Sequence, residues 1–373
     1  MITTILFLIS LICLGHTYIF YPLILILLSL VAKKGVARDE NFLPAVSLLV
    51  AAYNEEKIIR EKVENSLSID YPKDKLEIII TSDGSTDKTN EIVAEYKDII
   101  LKELPRAGKI TAVNKTLPQA TGEIIVLSDA NTMYEKDAIK KLIRNFKDET
   151  VGGVTGKVLL TSEKATYGQG ESLYGKYERY IQKKESQIFS VIGVDGAMYA
   201  IRKNLFKRIP PEIILDDLVN GMNIVKQGYR VIYDESAVGY EDTAASSKGE
   251  FIRRVRVSGG GFQMIVKNQG VPSIKQPFLL FQFISHKLFR WLTPFFLIIL
   301  FTTNLFLINI NLFYKICFIC QSLFYLLALI GGFFKLKALG TPFYFCLIQL
   351  ASLIGVYRLI TGKLRVTWTK GRE

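Results

Sequence analysis

The sequence predicts an α/β domain with a mostly parallel sheet, flanked by transmembrane α-helices, and three observations support this fold class. Long apolar runs are concentrated at the two ends of the 373-residue chain. The segment between them alternates short apolar stretches with helical ones, which is typical of βα units. This middle segment also contains no histidine and no cysteine. Cysteine–histidine hydrolases and histidine-ligated zinc sites are therefore excluded from it.

The first element is an apolar run that fills residues 4–31 without a charged side chain. It exceeds the roughly 20 residues that cross a bilayer as a helix. No basic residue precedes it and no small-residue cleavage pattern ends it, so we interpret residues 1–32 as a retained membrane helix and not as a signal peptide. Lys33, Lys34 and Arg38 follow at once. By the positive-inside rule, these basic residues place the following domain in the cytoplasm.

That domain, residues 42–265, opens with three predicted strands separated by helices. The strands cover residues 46–52, 76–81 and 123–128, and the helices cover residues 55–67, 86–96, 109–117 and 136–146. Ligands of such sheets bind at the carboxyl ends of the strands, so functional residues are expected directly after each strand. The first strand is not followed by G-x-G-x-x-G, and the chain has no G-x-x-x-x-G-K-[ST]. Dinucleotide and P-loop sites therefore lose their main support.

Polar side chains near these strand ends suit a nucleotide and its phosphates. Asp83 ends the second strand, where its carboxylate can bind a nucleoside or form an Asx turn that caps the next helix. Asp129 and Asn131 follow the third strand and offer hard oxygen ligands for Mg²⁺ or Mn²⁺, or form an ordinary turn. Lys109 can neutralise a diphosphate, or it is an unspecialised surface lysine.

Two further clusters lie later in the chain. Asp216 and Asp217 open a predicted helix, and repulsion between adjacent carboxylates can raise the pKa of one and make it a general base. The alternative is that both acids cap the helix. Arg253, Arg254 and Arg256 form a basic cluster that can clamp phosphates or contact lipid headgroups. The three glycines at residues 259–261 are interpreted as a flexible loop or a close-packing point.

These motifs, in this order, resemble the family 2 glycosyltransferases, especially the membrane-integrated synthases related to the cellulose, hyaluronan and poly-N-acetylglucosamine synthases. The resemblance extends from about Val46 to Gln263 and rests on residues 52–55, residues 83–87 and the Asp129 motif taken together. It implies a GT-A fold, with a single Rossmann-like domain that binds a nucleotide sugar. It also implies a metal-dependent hexosyltransferase of polysaccharide biosynthesis that uses Mg²⁺ or Mn²⁺ and a nucleotide-diphosphate sugar, such as a UDP-sugar.

The resemblance also implies roles for individual residues. The expected donor-binding residues are Tyr53, Glu55, Asp83, Lys109, Asp129, Arg253 and Arg256, with Tyr53, Glu55 and Asp83 at the nucleoside. The expected metal ligands are Asp129 and Asn131. Asp217 is expected to be the general base, with Gly196, Ala197 and Asp216 on the acceptor side.

The sequence departs from the family pattern at two places. The metal motif usually reads Asp-x-Asp, whereas Asn131 stands at its third position, where a neutral amide oxygen offers less charge. Processive synthases usually carry Gln-x-x-Arg-Trp, whereas residues 253–257 read Arg-Arg-Val-Arg-Val. That stretch keeps an arginine but lacks the tryptophan expected beside the acceptor sugar. Whether one sugar or many are added is therefore left open.

The carboxyl-terminal part is predicted to begin with an amphipathic helix at the membrane interface, residues 271–291. Transmembrane helices follow within residues 292–362, in the apolar stretches 292–310, 313–334 and 342–360. Three spans after a cytoplasmic domain would leave the basic tail, residues 363–373, outside the cell, against the positive-inside rule. Either one segment is interfacial or re-entrant, or the tail breaks the rule.

The predicted function is an inverting transfer of a sugar to a glycan or lipid-linked acceptor at the cytoplasmic membrane. The alternative is a non-catalytic, nucleotide-binding membrane subunit that supports a partner synthase, and the two departures motivate it. A transporter explains less, because the soluble α/β segment would then have no role. The net charge of +12 does not predict nucleic-acid binding, because basic residues beside apolar spans normally set topology and contact membrane lipids.

Overall fold

A computed structural model describes residues 1–160, 168–241 and 247–364 of the chain. The predicted basic tail begins at Lys363, and its residues from Arg365 onward lie outside the described part.

A mixed eight-stranded sheet forms the centre of the domain. In chain order the strands are β1 (Val46–Ala52), β2 (Leu76–Asp83), β3 (Ile100–Leu104), β4 (Ile124–Asp129), β5 (Thr132–Tyr134), β6 (Val151–Leu160), β7 (Met198–Arg202) and β8 (Arg230–Glu241). Their order across the sheet is β3-β2-β1-β4-β7-β6-β8-β5. Strands β3, β2, β1 and β4 are parallel to one another, as are β6 and β8. Strand β7 is antiparallel to β4 and β6, and β5 is antiparallel to β8.

The predicted α/β class is confirmed, and the sheet is mixed, with four parallel strand pairings and three antiparallel ones. The three predicted strands correspond to β1, β2 and β4, which are buried on both faces and therefore read as continuous apolar runs. Strand β6 has no such signal, because Gly152, Gly153 and Gly156 weaken its strand propensity. In the fold these glycines allow close packing: a Cβ on Gly152 would lie 2.6 Å from Leu205 Cδ1.

Helices cover both faces of this sheet. They are α3 (Ile59–Leu67), α4 (Thr89–Ala94), α5 (Lys109–Thr116), α6 (Ala138–Ile143), α7 (Gly168–Ile188), α8 (Asp216–Lys226) and α9 (Ser247–Val266). One hydrophobic cluster contains Leu48 and Val50 of β1, and a second contains Leu49, which points to the opposite face. The sheet therefore has a packed core on each side, as expected for an α/β domain.

Four helical segments of the described chain are long and apolar enough to cross a membrane. The first joins α1 (Ile2–Gly15) and α2 (Tyr21–Val31), the second joins α10 (Pro277–Phe283) and α11 (Phe289–Leu307), the third is α12 (Leu312–Phe333), and the fourth is Lys337–Ile360, which contains α13 (Gly340–Ile360). The predicted first membrane helix is thus present. The predicted boundary after residue 291 is not, because the helix runs from Pro277 to Leu307 without a break at that point.

One turn of π-helix joins α1 to α2, and another joins α10 to α11. The two turns contact each other through His16 Nε2 and Ser285 Oγ, which are 2.8 Å apart. In the second turn, the fully buried His286 contacts Glu185 and Glu178 of α7, each at 2.8 Å. Helix α7, which the sequence does not predict, is therefore held against both apolar segments. These contacts fix the α/β domain to the apolar helices.

The glycines at residues 259–261 lie inside α9 and confirm the close-packing interpretation. A Cβ on Gly259 would lie 2.7 Å from Leu364 Cδ1, and one on Gly260 would lie 2.9 Å from Ile214 Cγ2. A Cβ on Gly261 would lie 2.6 Å from Trp291 Cε2. Since no real Cβ tolerates such distances, the glycines let α9 approach three neighbours at once. This packing holds α9 between the domain and the apolar helices.

Candidate active site

A pocket lies at the carboxyl ends of β1, β2 and β4, where the parallel topology predicts a ligand. It is lined by Ala51, Ala52, Tyr53, Glu55, Asp83, Arg106, Lys109, Asp129, Ala130 and Asn131. Six of these were predicted from the sequence as donor or metal residues: Tyr53, Glu55, Asp83, Lys109, Asp129 and Asn131. The structure therefore brings the strand-end motifs together in one pocket.

Asp83 organises the turn that leads into α5. Its buried carboxylate accepts hydrogen bonds from the backbone N–H of Ala107 at 2.8 Å and of Gly108 at 2.9 Å. The guanidinium of Arg106 forms an ion pair with the same carboxylate, and its Cζ lies 3.3 Å from the centroid of the Tyr53 ring. The sequence prediction does not include Arg106 as a site residue. Its only signal is a position just before Gly108 and Lys109, ahead of a helix start.

Lys109 is the first residue of α5, and its ammonium lies 2.5 Å from Asp129 Oδ1. It therefore points into the pocket and is not an unspecialised surface lysine. Burial alone would lower the pKa of Lys109, but the carboxylates of Asp129 and Asp216 hold it above its ordinary value. Lys109 thus carries a permanent positive charge at the place where the resemblance expects a diphosphate.

The Asp129–Asn131 turn is held from two sides by residues that the sequence prediction does not include. On one side, the fully buried Lys62 donates to Ser128 Oγ at 2.8 Å and to the Thr132 carbonyl at 2.5 Å. On the other side, Asn131 Nδ2 donates to Glu241 Oε1 at 3.0 Å. No local sequence signal marks Glu241, because it meets the turn only through the pairing of β8 with β5.

Burial shifts both of these flanking groups. It lowers the pKa of Lys62 to about 7, against the opposing effect of Asp129. Burial and the nearby Asp129 raise the pKa of Glu241 to about 7. In both groups the pKa shift means that the charged form is destabilised. A cation placed between Asp129 and Glu241 would reduce the repulsion between their carboxylates.

The donor set of this turn fits a divalent cation. Asp129, Asn131 and Glu241 offer carboxylate and amide oxygens, which Mg²⁺ and Mn²⁺ prefer. The Lys109 ammonium already contacts the Asp129 carboxylate, which therefore has a positively charged partner in this structure. Across the described residues, no three His, Cys, Asp or Glu side chains form a ready metal cluster. A cation here would therefore depend on the amide oxygen, or on substrate oxygens, as well.

Asp216 and Asp217 are the first residues of α8, as predicted. Asp217 Oδ1 accepts from the Leu218 N–H at 2.7 Å, and burial together with Asp216 raises the pKa of Asp217 to about 7. A Cβ on Gly196 would lie 3.0 Å from Asp217 Oδ2. Gly196 therefore lies against this carboxylate, whereas Ala197 is buried in a hydrophobic cluster of the sheet.

The two arginines expected at the donor differ in their surroundings. The pKa of Arg256 is lowered by burial, against the effect of Asp216, Asp217 and Asp129, so its charge lies near these three acids. Arg253 is about half exposed and forms an ion pair with Glu250 at 2.7 Å. Arg254 pairs with the same Glu250 at 2.6 Å. Arg253 also interacts electrostatically with Glu241, so Arg253 and Arg256 both lie toward the candidate site.

Residues 47–209 match the family described as glycosyl transferase family 2. The chain contains a family 2 glycosyltransferase domain. Over 249 residues, 64% of this chain, it is 28% identical to the poly-beta-1,6-N-acetyl-D-glucosamine synthase of Staphylococcus aureus (strain COL). Over 241 residues it is 27% identical to the probable glycosyltransferase YdaM of Bacillus subtilis (strain 168), covering 60% of this chain. The matches span 60% and 57% of the length of these two relatives.

The glycosyltransferase fold also has a counterpart among solved structures. The mannosyltransferase PcManGT from Pyrobaculum calidifontis, solved in complex with GDP-Man and Mn²⁺, has a TM-score of 0.74 and 22% sequence identity. The match covers 96% of this chain and 99% of that one. It therefore includes both the domain and the apolar helices, and it confirms the predicted GT-A architecture.

Proposed function

We propose that this glycosyltransferase domain moves a sugar from a nucleotide-diphosphate donor to a glycan or lipid-linked acceptor, with inversion at the anomeric carbon. One observation carries the proposal. Asp217 has a pKa of about 7 and lies close enough to Lys109 for their charges to interact, and Lys109 in turn contacts Asp129. A candidate base and a diphosphate-binding residue are therefore adjacent, as a single displacement requires.

On the donor side, the nucleoside would lie against Tyr53 and Glu55, with Asp83 and Arg106 beneath it. The diphosphate would lie at Lys109, whose fixed charge stabilises the departing oxygens. Mg²⁺ or Mn²⁺ held by Asp129 and Asn131 would supply further positive charge to the leaving diphosphate. A UDP-sugar is the expected donor from the family resemblance, and the fold neighbour was solved with GDP-Man and Mn²⁺, so both nucleotides belong in the test.

On the acceptor side, Asp217 removes the proton from the attacking hydroxyl. With a pKa of about 7, about half of this carboxylate is ionised near neutral pH, which suits a general base. Arg256 lies near Asp216 and Asp217 and balances part of their charge. The absence of a side chain at Gly196 leaves room beside Asp217 Oδ2 for the acceptor.

A second cavity, of about 250 Å³, lies between α7, α9 and the apolar helices. Its aromatic lining residues are Tyr18, Tyr174, Tyr177, Trp291, Tyr344 and Phe345. Two buried atoms of its lining residues have no hydrogen-bond partner within the described part of the chain: the donor Arg290 Nε and the acceptor Gln349 Oε1. A sugar ring can satisfy both atoms through its hydroxyl groups and can pack against the aromatic faces. This lining supports a sugar-bearing acceptor at the membrane side of α9.

We further propose that the chain is an integral protein of the cytoplasmic membrane, with the glycosyltransferase domain facing the cytoplasm. Lys33 and Lys34 directly follow the first apolar segment, which supports this orientation. The acceptor or product would then be a component of polysaccharide biosynthesis at that surface.

Nucleotide release tests the proposal directly. Purified protein is incubated with Mg²⁺ or Mn²⁺ and a panel of UDP- and GDP-sugars, and UDP or GDP is measured. Release should require Asp217, so an Asp217→Asn variant should lose at least about 100-fold, the usual contribution of a general base. A Glu212→Gln variant, which changes an exposed acid paired with Lys267, is the matched control and should keep its activity. Nucleotide binding without release by any donor would instead support a non-catalytic subunit.

A further inference from the structure

Asn131 and Glu241 form a matched pair at the candidate cation site. Thr132 pairs with Glu241 in the β5–β8 ladder, and this pairing brings the two side chains together. Asn131 is 4% exposed, and its Nδ2 lies 3.0 Å from Glu241 Oε1. When Glu241 is ionised it only accepts hydrogen bonds, so the Asn131 amide presents its NH₂ group to it. The carbonyl oxygen Oδ1 is thereby turned away from Glu241.

The pair also explains why residue 131 is not an aspartate. Asp129 and Glu241 already bring two carboxylates to this turn. An aspartate at position 131 would place a third carboxylate against Glu241 and would remove its donor. An asparagine keeps the hydrogen bond and adds no charge, so Glu241, and not residue 131, carries the carboxylate of this pair.

We propose that Glu241 is the second carboxylate of the divalent cation site and that Asn131 is an amide ligand that Glu241 orients. The pair would replace the second acid of the family's Asp-x-Asp motif. This proposal rests on the proposed function only for the identity of the cation, and it concerns binding and not turnover.

Mn²⁺ binding tests the proposal without requiring transfer. The free Mn²⁺ signal is measured by electron paramagnetic resonance with the full chain, with and without UDP. Glu241→Gln should weaken Mn²⁺ binding about tenfold or more. The exchanged variant Asn131→Asp/Glu241→Gln, which restores both the charge and the hydrogen bond, should recover affinity to within about threefold. Glu135→Gln is the matched control, because Glu135 lies just after β5 and its side chain accepts from Tyr240 at 2.9 Å, on the face of β8 opposite to Glu241.

The outcomes separate this proposal from the proposed function. If Glu241→Gln binds Mn²⁺ as tightly as the Glu135→Gln control, or the exchanged variant recovers nothing, the pair is not part of the cation site. Failure of the parent chain to bind Mn²⁺ in either condition would also overturn it. Binding that depends on Glu241, in a protein that releases no nucleotide, would reject the proposed function and keep the pair.

A separate observation concerns α13, which lies along α9 of the catalytic domain. Near its start, the Tyr344 hydroxyl donates to Glu250 at 2.9 Å and accepts from Arg254 at 2.7 Å. Near its end, a Cβ on Gly355 would lie 2.7 Å from the backbone N of Gly259. Helix α9 itself is tied to the domain, where Gln263 Nε2 donates to the Glu212 carbonyl at 2.8 Å.

The far end of the apolar helices is packed without α13. The buried cluster there consists of Phe7, Leu300, Leu307 and Tyr314, which belong to the other three segments. Helix α13 instead meets those segments nearer the domain. The Phe345 ring lies 5.8 Å from Tyr18, and Ser352 Oγ donates to the Trp291 carbonyl at 3.1 Å.

We infer that α13 lies at the membrane surface on the domain side and does not cross the bilayer. The described chain would then cross three times, through residues 2–31, 277–307 and 312–333. Leu364, which packs against Gly259, stays on the domain side. The basic tail that follows would therefore face the cytoplasm, and its charges would agree with the positive-inside rule. The sequence left two options: one apolar segment is interfacial or re-entrant, or the tail breaks the positive-inside rule. The packing of α13 favours an interfacial segment.

Single-cysteine labelling tests this topology. The four native cysteines are replaced by serine, and one cysteine is placed at Ser68 in the domain, at Asn309 between the second and third segments, or at Lys370 in the tail. Intact cells or right-side-out vesicles are then treated with a membrane-impermeant maleimide. Ser68→Cys and Lys370→Cys should label only after permeabilisation, whereas Asn309→Cys should label before it. Labelling of Lys370→Cys together with Asn309→Cys would show that α13 crosses the bilayer.

Discussion

Transfer should rise with pH between about 6 and 8, because Asp217 acts as a base only in its ionised form. The pKa of Asp217 is about 7, raised by burial and by Asp216. At pH 6 only about one-tenth of such a carboxylate is ionised, and at pH 8 about nine-tenths is. The rate at saturating donor and metal should therefore increase about tenfold over this interval. An aspartate with the ordinary pKa would show no change, since it is fully ionised throughout.

The neighbouring acid provides the decisive perturbation. In Asp216→Asn the repulsion from residue 216 is removed, so the pKa of Asp217 should fall and the midpoint of the profile should move to lower pH. Nucleotide release is measured from pH 5.5 to 9 for the parent chain, for Asp216→Asn and for the Glu212→Gln control. A profile that is flat from pH 6 to 8, or a midpoint that does not move in Asp216→Asn, would refute this account of the base.

Three further predictions concern residues around the site and the membrane junction. Lys62→Met should leave Ser128 Oγ and the Thr132 carbonyl without their donor, and should weaken Mn²⁺ binding severalfold while unfolding remains cooperative, as monitored by calorimetry. Arg106→Ala should reduce UDP affinity about tenfold in a binding titration, whereas Arg60→Ala, an exposed arginine over Tyr96, should not. Gly355→Ala should cost about 1–3 kcal/mol of stability through overpacking against Gly259, with Gly35→Ala, which meets nothing within 4 Å, as the control.

The donor half of the site was predictable because its residues directly follow buried parallel strands. Tyr53, Asp83 and Asp129 each sit at the end of an apolar run, and the topology of parallel strands brings such ends together. Lys62 and Glu241 had no comparable signal. Lys62 looks like any lysine on a short helix, and its burial becomes visible only when α3 is packed against β5. Glu241 reaches the site through a strand pairing that spans about a hundred residues of sequence.

Helix α7, in the second half of the domain, could not be predicted from the sequence for a different reason. Helix α7 lies between β6 and β7 and is amphipathic, with Tyr177 and Ile181 packed toward α2 while Lys183 is paired with Glu235. A polar helix with few apolar residues gives a weak pattern when read alone, and its partners are the apolar segments at both ends of the chain. Its position depends on buried contacts such as Glu185 with His286, which no local pattern encodes.

At each of the two departures from the family pattern, a second residue of related chemistry lies nearby in the structure. Asn131 lacks the charge expected of the metal motif, and Glu241 offers a carboxylate within hydrogen-bond distance of it. Val257 lacks the aromatic ring expected near the acceptor, but it lines the same cavity as Trp291, whose ring packs against Gly261.

In both cases we propose that a residue distant in sequence and adjacent in space supplies the missing chemistry. The link on the acceptor side is α9, because Arg254 and Arg256 are two positions apart and cannot share a helix face. Arg254 lines the membrane-side cavity, while Arg256 interacts with Asp216 and Asp217. Helix α9 therefore directs Arg254 toward the membrane-side cavity and Arg256 toward the candidate base. Substitutions of Val257 by tryptophan should then crowd Trp291 and lower acceptor use, and should not restore a family-like platform.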